Sequence, residues 1–460
     1  MKPTTPQMGV PMMKIRELSL SKLLGYKILL AFTLLYFVAF GLLMVHTSGQ
    51  PDQAPHTYYS RRFSETWGIP EEDPNIRFTI TGQPYLYYWI NGAVFKSLRF
   101  LLPSANLSPG LIWRLISLTY AVTTVFLTYK LGEKVTGNPY YGILAAFFLS
   151  NILMFTYVSS GISYDNLMNL AAIASIYHLV KLYKKGDFVR QTALIGIWVI
   201  VGSLSKNQFL LVTLIVFLAW LFFTLRNFRQ LSLNFNKTNI VLSVVFVACL
   251  ILFLGLYGVN IIRYGRLTPS CAQIKTTSSC RTYDYRYEYY EPFNLQWMWF
   301  VRDNLTNPIK YAMTYWIYKM AESVWGILSH QTFIPTLSVS MHLCLTIWTA
   351  FFFFYHWRPK DKIPTLLFGI LISYTLFVFF WNYKNEVEFN FQHYVVTGRY
   401  LLPILSVLVV LMSQTFMKIQ SIPLKRISIS VAVIIYFMGG LGMFISRYAE
   451  VFSHWRLYFY

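Results

Sequence analysis

Apolar runs without a charged side chain dominate the chain and alternate with short, mostly basic connections. Several of them approach or exceed the ~18 residues that mark a membrane-spanning helix, and eleven spans are read from the pattern. They fall at about 28–45, 109–129, 140–158, 164–180, 191–205, 207–225, 240–262, 334–355, 363–382, 399–417 and 427–446. In spans two, four and five the uncharged stretch is only 15 residues long. Two interruptions are too long to be plain connectors, at about 46–108 and 263–333. The first contains two helix-like stretches, 54–67 and 84–101, the second with aromatic residues on one face, as expected of helices lying in the membrane interface. The second interruption carries the alternating run RTYDYRYEYYE (281–291), whose period of two predicts a short extended segment.

Composition agrees with that pattern. Over 460 residues, hydrophobic residues make up 55% and charged residues 12%, about half the ~25% of a soluble domain. An all-α polytopic membrane protein is expected, and a secreted domain or a conventional cytosolic enzyme is excluded. The net charge of +21 would suit a nucleic-acid partner, but its distribution explains it otherwise. The short loops on one side hold 20 of the 39 Lys and Arg residues and only four acids, Glu17, Glu133, Asp187 and Asp361. That asymmetry places the N-terminus in the cytoplasm and the C-terminus outside, in a multi-pass inner (plasma) membrane protein. No nucleic acid is needed to account for the charge. The first span follows Lys14, Arg16, Lys22 and Lys27 and reads as an uncleaved anchor, since no small-residue cleavage site follows it.

Charges at or near membrane depth are functional candidates by default. Asp52 follows the first span, with His56, Arg61, Arg62 and Glu65 behind it; Asp165 sits in the turn before span four, and Lys206 between spans five and six. On the expected topology all of them share the outer face. Each has a plainer explanation alone: Asp165 suits a helix start, and a lysine near a span end snorkels. Together, two carboxylates and cations at a polar–apolar boundary suit group transfer from a lipid-linked phosphate, with a carboxylate as base toward a hydroxyl and cations stabilising the departing phosphate. The eight histidines and four cysteines show no metal-ligand spacing, and no nucleotide-binding or hydrolase motif is present, so neither a metal nor a cofactor is expected. Cys249 and Cys344 lie within spans; Cys271 and Cys280 share one outer loop and are a candidate disulfide.

Six segments, in order, carry a resemblance: PDQAPHTYYSRRF, GQPYLYYWI, RLISLTYAVTTVFLTYKLGEKVTGNPYYGILAAFFLS, SSGISYDNLMNL, GSLSKNQFLL and TGRYLLPIL. They resemble the GT-C superfamily of membrane glycosyltransferases, in particular the aminoarabinose transferases and protein O-mannosyltransferases. The resemblance implies a single GT-C transmembrane domain of about eleven helices over 1–460, with juxtamembrane helices in the first outer loop. It implies transfer of a sugar from a polyprenyl-phosphate donor to a hydroxyl of a lipid, polysaccharide or protein acceptor, with inversion, at the outer face. Carried over by position, Asp52 matches the catalytic carboxylate and Asp165 the second acidic position. Lys206 matches a lysine on the carrier phosphate, and Arg61 or Arg62 a first-loop arginine. Arg263 and Arg266 are candidates for a further phosphate contact, and Arg399 belongs to a motif of its own. Gln53 stands where the family has a second acid, and Gln83 where it often has Lys or His. A transporter or lipid flippase is the alternative reading, because intramembrane carboxylates also mark ion pathways; no inverted repeat accompanies them here.

Overall fold

The computed structural model describes residues 20–45, 53–73, 79–184, 186–231, 233–234, 236–275, 307–329, 332–333, 336–388 and 396–446. Asp52, Cys280 and the tyrosine-rich 281–291 lie outside the described residues. Each of the eleven apolar runs is helical where it is described, the one at 140–158 as two helices. In chain order the main helices are α1 (Leu20–Val45), α2 (Gln53–Glu65), α3 (Leu86–Leu101), α4 (Pro109–Thr136) and α5 (Pro139–Ser150). There follow α6 (Leu153–Ser159), α7 (Asp165–Tyr183), α8 (Phe188–Ser203), α9 (Phe209–Asn227) and α10 (Lys237–Tyr264). The last five are α11 (308–325), α12 (Thr336–His356), α13 (Lys362–Glu388), α14 (Leu402–Lys418) and α15 (Ile422–Ser446). A two-stranded antiparallel hairpin, Ile327–Ser329 with Thr332–Phe333, follows α11.

Among the described residues eight helices are long and apolar enough to cross a membrane, or nine with the pair α5–α6 taken as one span. The two remaining runs are α8, which is short, and α7, which is polar for a span. Burial explains α7. Its residues from Asp165 to Ile176 are all buried, so it meets other helices instead of lipid and tolerates Asn166, Asn169 and Ser175. A helix sheathed on all sides needs no single apolar stripe. α14 is buried almost throughout as well. α10, by contrast, turns Ile240, Val244, Val247 and Ile251 outward. An apolar periphery around an interior that holds Asp165, Lys206 and Arg399 is the arrangement of a multi-pass membrane protein.

The run at 140–158 is not one straight span. It breaks after α5 and turns by 74° into α6. Asn151 sits at the break: its Oδ1 accepts the Tyr36 hydroxyl of α1 at 2.5 Å, and its Nδ2 donates to Phe147 O at 2.9 Å. From the other side α15 presses Gly440 onto the same residue, where a Cβ would meet Asn151 Oδ1 at 2.6 Å. The backbone of α15 leaves helical geometry there (Gly440 φ −94°, ψ −107°). Phe40 of α1 and Phe444 of α15 close the joint with ring centroids 5.5 Å apart.

Candidate active site

Three helix ends meet at the face that the sequence assigns to the outside, and each delivers one ionised side chain. Asp165 is the first residue of α7, where the helix dipole favours a negative charge. Lys206 lies in the tight turn between α8 and α9, in which its N–H donates to Gly202 O and the Phe209 N–H donates to Lys206 O. Gly202 is forced by the Phe209 ring, which occupies the place of a Cβ. Arg399 sits in a short 3₁₀ turn, Gly398–Leu401, ahead of α14, capped by the Thr397 hydroxyl.

Lys206 Nζ donates to Asp165 Oδ1 at 2.7 Å, and Arg399 Nε lies 3.4 Å from Asp165 Oδ2. Asp165 is fully buried, and Lys206 and Arg399 are each 7% exposed. One carboxylate therefore holds a lysine and an arginine side by side against their mutual repulsion. The Ser163 hydroxyl donates to Asp165 Oδ2 at 3.3 Å. The Lys206 ammonium also lies over the Tyr164 and Tyr400 rings, 4.8 and 5.4 Å from their centroids, within cation–π range. Tyr374 donates to Tyr400 O at 2.9 Å and fixes that turn from α13.

α2 and α3 roof this cluster. His56, Ser60 and Phe63 are the buried residues of α2, and their spacing of four and three puts them on one helical face. The His56 ring packs edge-on to Tyr164 with centroids 4.5 Å apart, and His56 Nδ1 is 2.7 Å from the Tyr88 hydroxyl. Asn91 of α3 donates to Ser60 Oγ at 3.0 Å. The helices approach so closely that a Cβ on Gly92 would run into the Phe63 carbonyl. The loop into α3 is bonded to the Lys206 turn: Asn207 Nδ2 donates to Gln83 Oε1 at 3.1 Å, and Leu86 N–H to Leu204 O at 2.9 Å. Gln83 thus holds the residue next to Lys206.

The remaining sequence candidates are placed apart from the cluster. Arg61 and Arg62 lie on the other side of α2 and pair with Glu65, at 3.9 and 3.0 Å. Arg62 also donates to Glu71 O. Glu65 is half-exposed and engaged with these arginines. Arg263 and Arg266 are exposed at the end of α10. Cys271 is disulfide-bonded and Cys249 and Cys344 are free thiols; the expected partner, Cys280, is outside the described residues. No three His, Cys, Asp or Glu side chains converge on a common point among the described residues.

Sequence reading missed the aromatic shell, although Tyr164 and Tyr400 each adjoin a flagged charge. It also missed a second ion pair that joins the two long loops. Lys275 Nζ lies 2.8 Å from Glu72 Oε1 and donates to Asp73 O at 2.7 Å, while Glu72 Oε2 accepts from the Ile80 and Thr81 amides, each at 2.9 Å. Burial alone would raise the Glu72 pKa, but Lys275 and the two amides outweigh it and hold the carboxyl below its ordinary range. Beside this pair, Asn260 of α10 donates to both Gly82 O and Leu267 O. Gly82 takes φ +71°, in the left-handed region glycine favours, and packs against Pro269.

No family profile matches the chain, and no curated protein matches it in sequence. Solved structures do. The oligosaccharyltransferase AglB from Archaeoglobus fulgidus, solved with an inhibitory peptide and a dolichol-phosphate, superposes with a TM-score of 0.50 over 91% of this chain at 12% identity. A second structure of the Archaeoglobus fulgidus oligosaccharyltransferase, with Zn and sulfate, gives a TM-score of 0.50 over 88% of this chain at 14% identity. The chain has the GT-C fold. It spans little more than half of those oligosaccharyltransferase chains, 56% and 51%. ArnT from Cupriavidus metallidurans in the apo state superposes at a TM-score of 0.48, with 10% identity, over 86% of this chain and 60% of that one. Within this fold the cluster of Asp165, Lys206 and Arg399 is drawn from three separate helix ends, and α2 and α3 cover it.

Proposed function

We propose that the protein is a glycosyltransferase that takes a sugar from a polyprenyl-phosphate donor and passes it to an acceptor hydroxyl at the outer face of the membrane. The observation that carries this reading is the paired Lys206 and Arg399, held together by buried Asp165 at the ends of three helices. The fold shared with an oligosaccharyltransferase solved with a dolichol-phosphate supports it.

A polyprenyl phosphate leaves as a stable anion, so the reaction asks for cations where charge develops and for a base on the acceptor. Lys206 and Arg399 receive the phosphate, in a site largely cut off from water where such contacts act strongly. Asp165, with both oxygens engaged, positions these two cations and is not free to take a proton. Asp52 is the base: it removes the acceptor proton as the oxygen attacks the anomeric carbon, in one displacement that inverts it. Arg61 and Arg62, tied to Glu65, brace α2, while exposed Arg263 and Arg266 attract the anionic donor toward the site.

The purified chain, given a radiolabelled polyprenyl-phosphate sugar, should release polyprenyl phosphate. Asp52→Asn should slow that release by about 10²–10⁴-fold, the usual contribution of a positioned base, with donor binding retained. Lys206→Ala should impair both binding and turnover, because it touches the carrier in ground and transition states. Donor movement across vesicle membranes without release, at the same rate in Asp52→Asn, would replace the transferase with a flippase.

A further inference from the structure

At the end of the bundle opposite the Asp165 cluster, α7, α9 and α13 enclose a cavity of about 990 Å³, at the upper end of the ~300–1,000 Å³ of pockets that hold small ligands. Its wall is mostly apolar, with Leu218 and Phe222 on α9 and Leu366 and Phe377 on α13. Two cations stand at its mouth, Arg226 in the last turn of α9 and Lys362 at the start of α13. Both are exposed, and neither forms an ion pair among the described residues. The nearby acids are engaged elsewhere. Asp361 pairs with Lys418 at 2.6 Å, and Asp187 caps α8 and accepts from Asn239.

We propose that this cavity binds an anionic phospholipid of the adjacent leaflet, the cytoplasmic one on the expected topology. The headgroup phosphate lies between Arg226 and Lys362, and an acyl chain runs up the groove. Depth supports a lipid of that leaflet. From Lys362 to Phe377 the groove follows α13 for about 22 Å, and from Arg226 to Leu214 it follows α9 for about 18 Å. One leaflet with its headgroups takes up half of the ~40–45 Å bilayer, roughly 20 Å. Position separates this occupant from the sugar carrier, whose phosphate is assigned to Lys206 at the opposite end and cannot be at both. Gly369 keeps the groove open: it faces the cavity, and a Cβ there would meet nothing within 4 Å.

The test is lipid retention by the full chain, reconstituted in vesicles of phosphatidylglycerol and phosphatidylcholine, then extracted and weighed by native mass spectrometry. Wild type should keep phosphatidylglycerol in preference to phosphatidylcholine. R226A/K362A should lower that preference about thirtyfold, the effect of two cations near an anionic headgroup. Gly369→Leu fills the groove from open space and raises helix propensity, so the chain stays folded while retention of both lipids falls. Equal retention of the two lipids, a preference that survives in R226A/K362A, or retention untouched by Gly369→Leu would each overturn the proposal. So would recovery of a polyprenyl phosphate from the groove in place of phospholipid. None of these readouts depends on sugar transfer, so this site and the transferase reading stand or fall separately.

Discussion

Asp165→Asn isolates the role given to the buried carboxylate. The substitution keeps the shape of the side chain and removes its charge, leaving an ammonium and a guanidinium to face an amide. At an effective dielectric of ~20 the lost attraction is about 6 kcal/mol gross for the lysine and about 5 kcal/mol for the arginine, given separations of 2.7 and 3.4 Å. Desolvation offsets much of that. The measured loss on removing one partner of a buried pair is about 3–5 kcal/mol, because the orphaned charge stays buried. Asp165→Asn should therefore strongly lower the thermal midpoint of the chain in detergent. A second change, Lys206→Met, should restore part of the loss by removing one orphaned charge. A double-mutant cycle over Asp165→Asn and Lys206→Met should then show a coupling of about 2 kcal/mol or more. Donor binding gives an independent readout, since Asp165→Asn lets the two cations separate and should weaken it even in chains that remain folded. Simple additivity of the two substitutions, with donor binding unchanged in Asp165→Asn, would refute the account of Asp165 as the group that holds the cations.

Three further outcomes follow from the roof of the site. Glu72 has a folded pKa below its unfolded value, so its contribution to loop order is complete above the unfolded pKa and is lost as pH falls through the folded one. Limited proteolysis of 66–85 should accelerate in that acid range, and Glu72→Gln should be cleaved fast at every pH. Gly92→Ala drives a methyl group into the Phe63 carbonyl and should destabilise the α2–α3 contact by about 1–3 kcal/mol, visible as loss of donor binding before any loss of the membrane bundle. Gln83→Ala removes the acceptor for Asn207 and should reduce turnover by severalfold through a looser Lys206 turn, whereas Gln83→Glu, which keeps an acceptor oxygen there, should recover much of it.

The spans were legible because lipid imposes one rule on every lipid-facing residue, and a run of apolar side chains satisfies it in any fold. The same rule says nothing about α7, whose surroundings are protein, and α7 reads as the least apolar span for that reason. Asp165 and Lys206 stood out as charges in turns where charge is costly. Their union with Arg399 was not legible, because the three residues lie on turns far apart in sequence and only packing brings them within 3.4 Å. Arg61 and Arg62 mark the limit of proximity in sequence: a few positions from His56, they fall on another side of the same helix. The bend after α5 was hidden for a related reason. Asn151 lies within a mostly apolar run, and the partners that make it a joint, Tyr36 and Gly440, come from opposite ends of the chain.

That joint bears on how the protein is made. Spans enter the membrane in order of synthesis, so α1 and the α5–α6 elbow are in place long before α15 emerges. Until then the side of Asn151 that Gly440 will cover stays open, and Phe40 waits for Phe444. The joint is thus closed by a segment that arrives late, somewhat as an arch stays propped until its keystone is set. A ribosome stalled before α15 would hold a chain with every ionised residue of the Asp165 cluster already synthesised and the elbow still unsecured. Quality-control proteases that survey nascent membrane proteins would find their opening there, and substitutions at Gly440 would show first as low abundance in the membrane, ahead of any defect in chemistry.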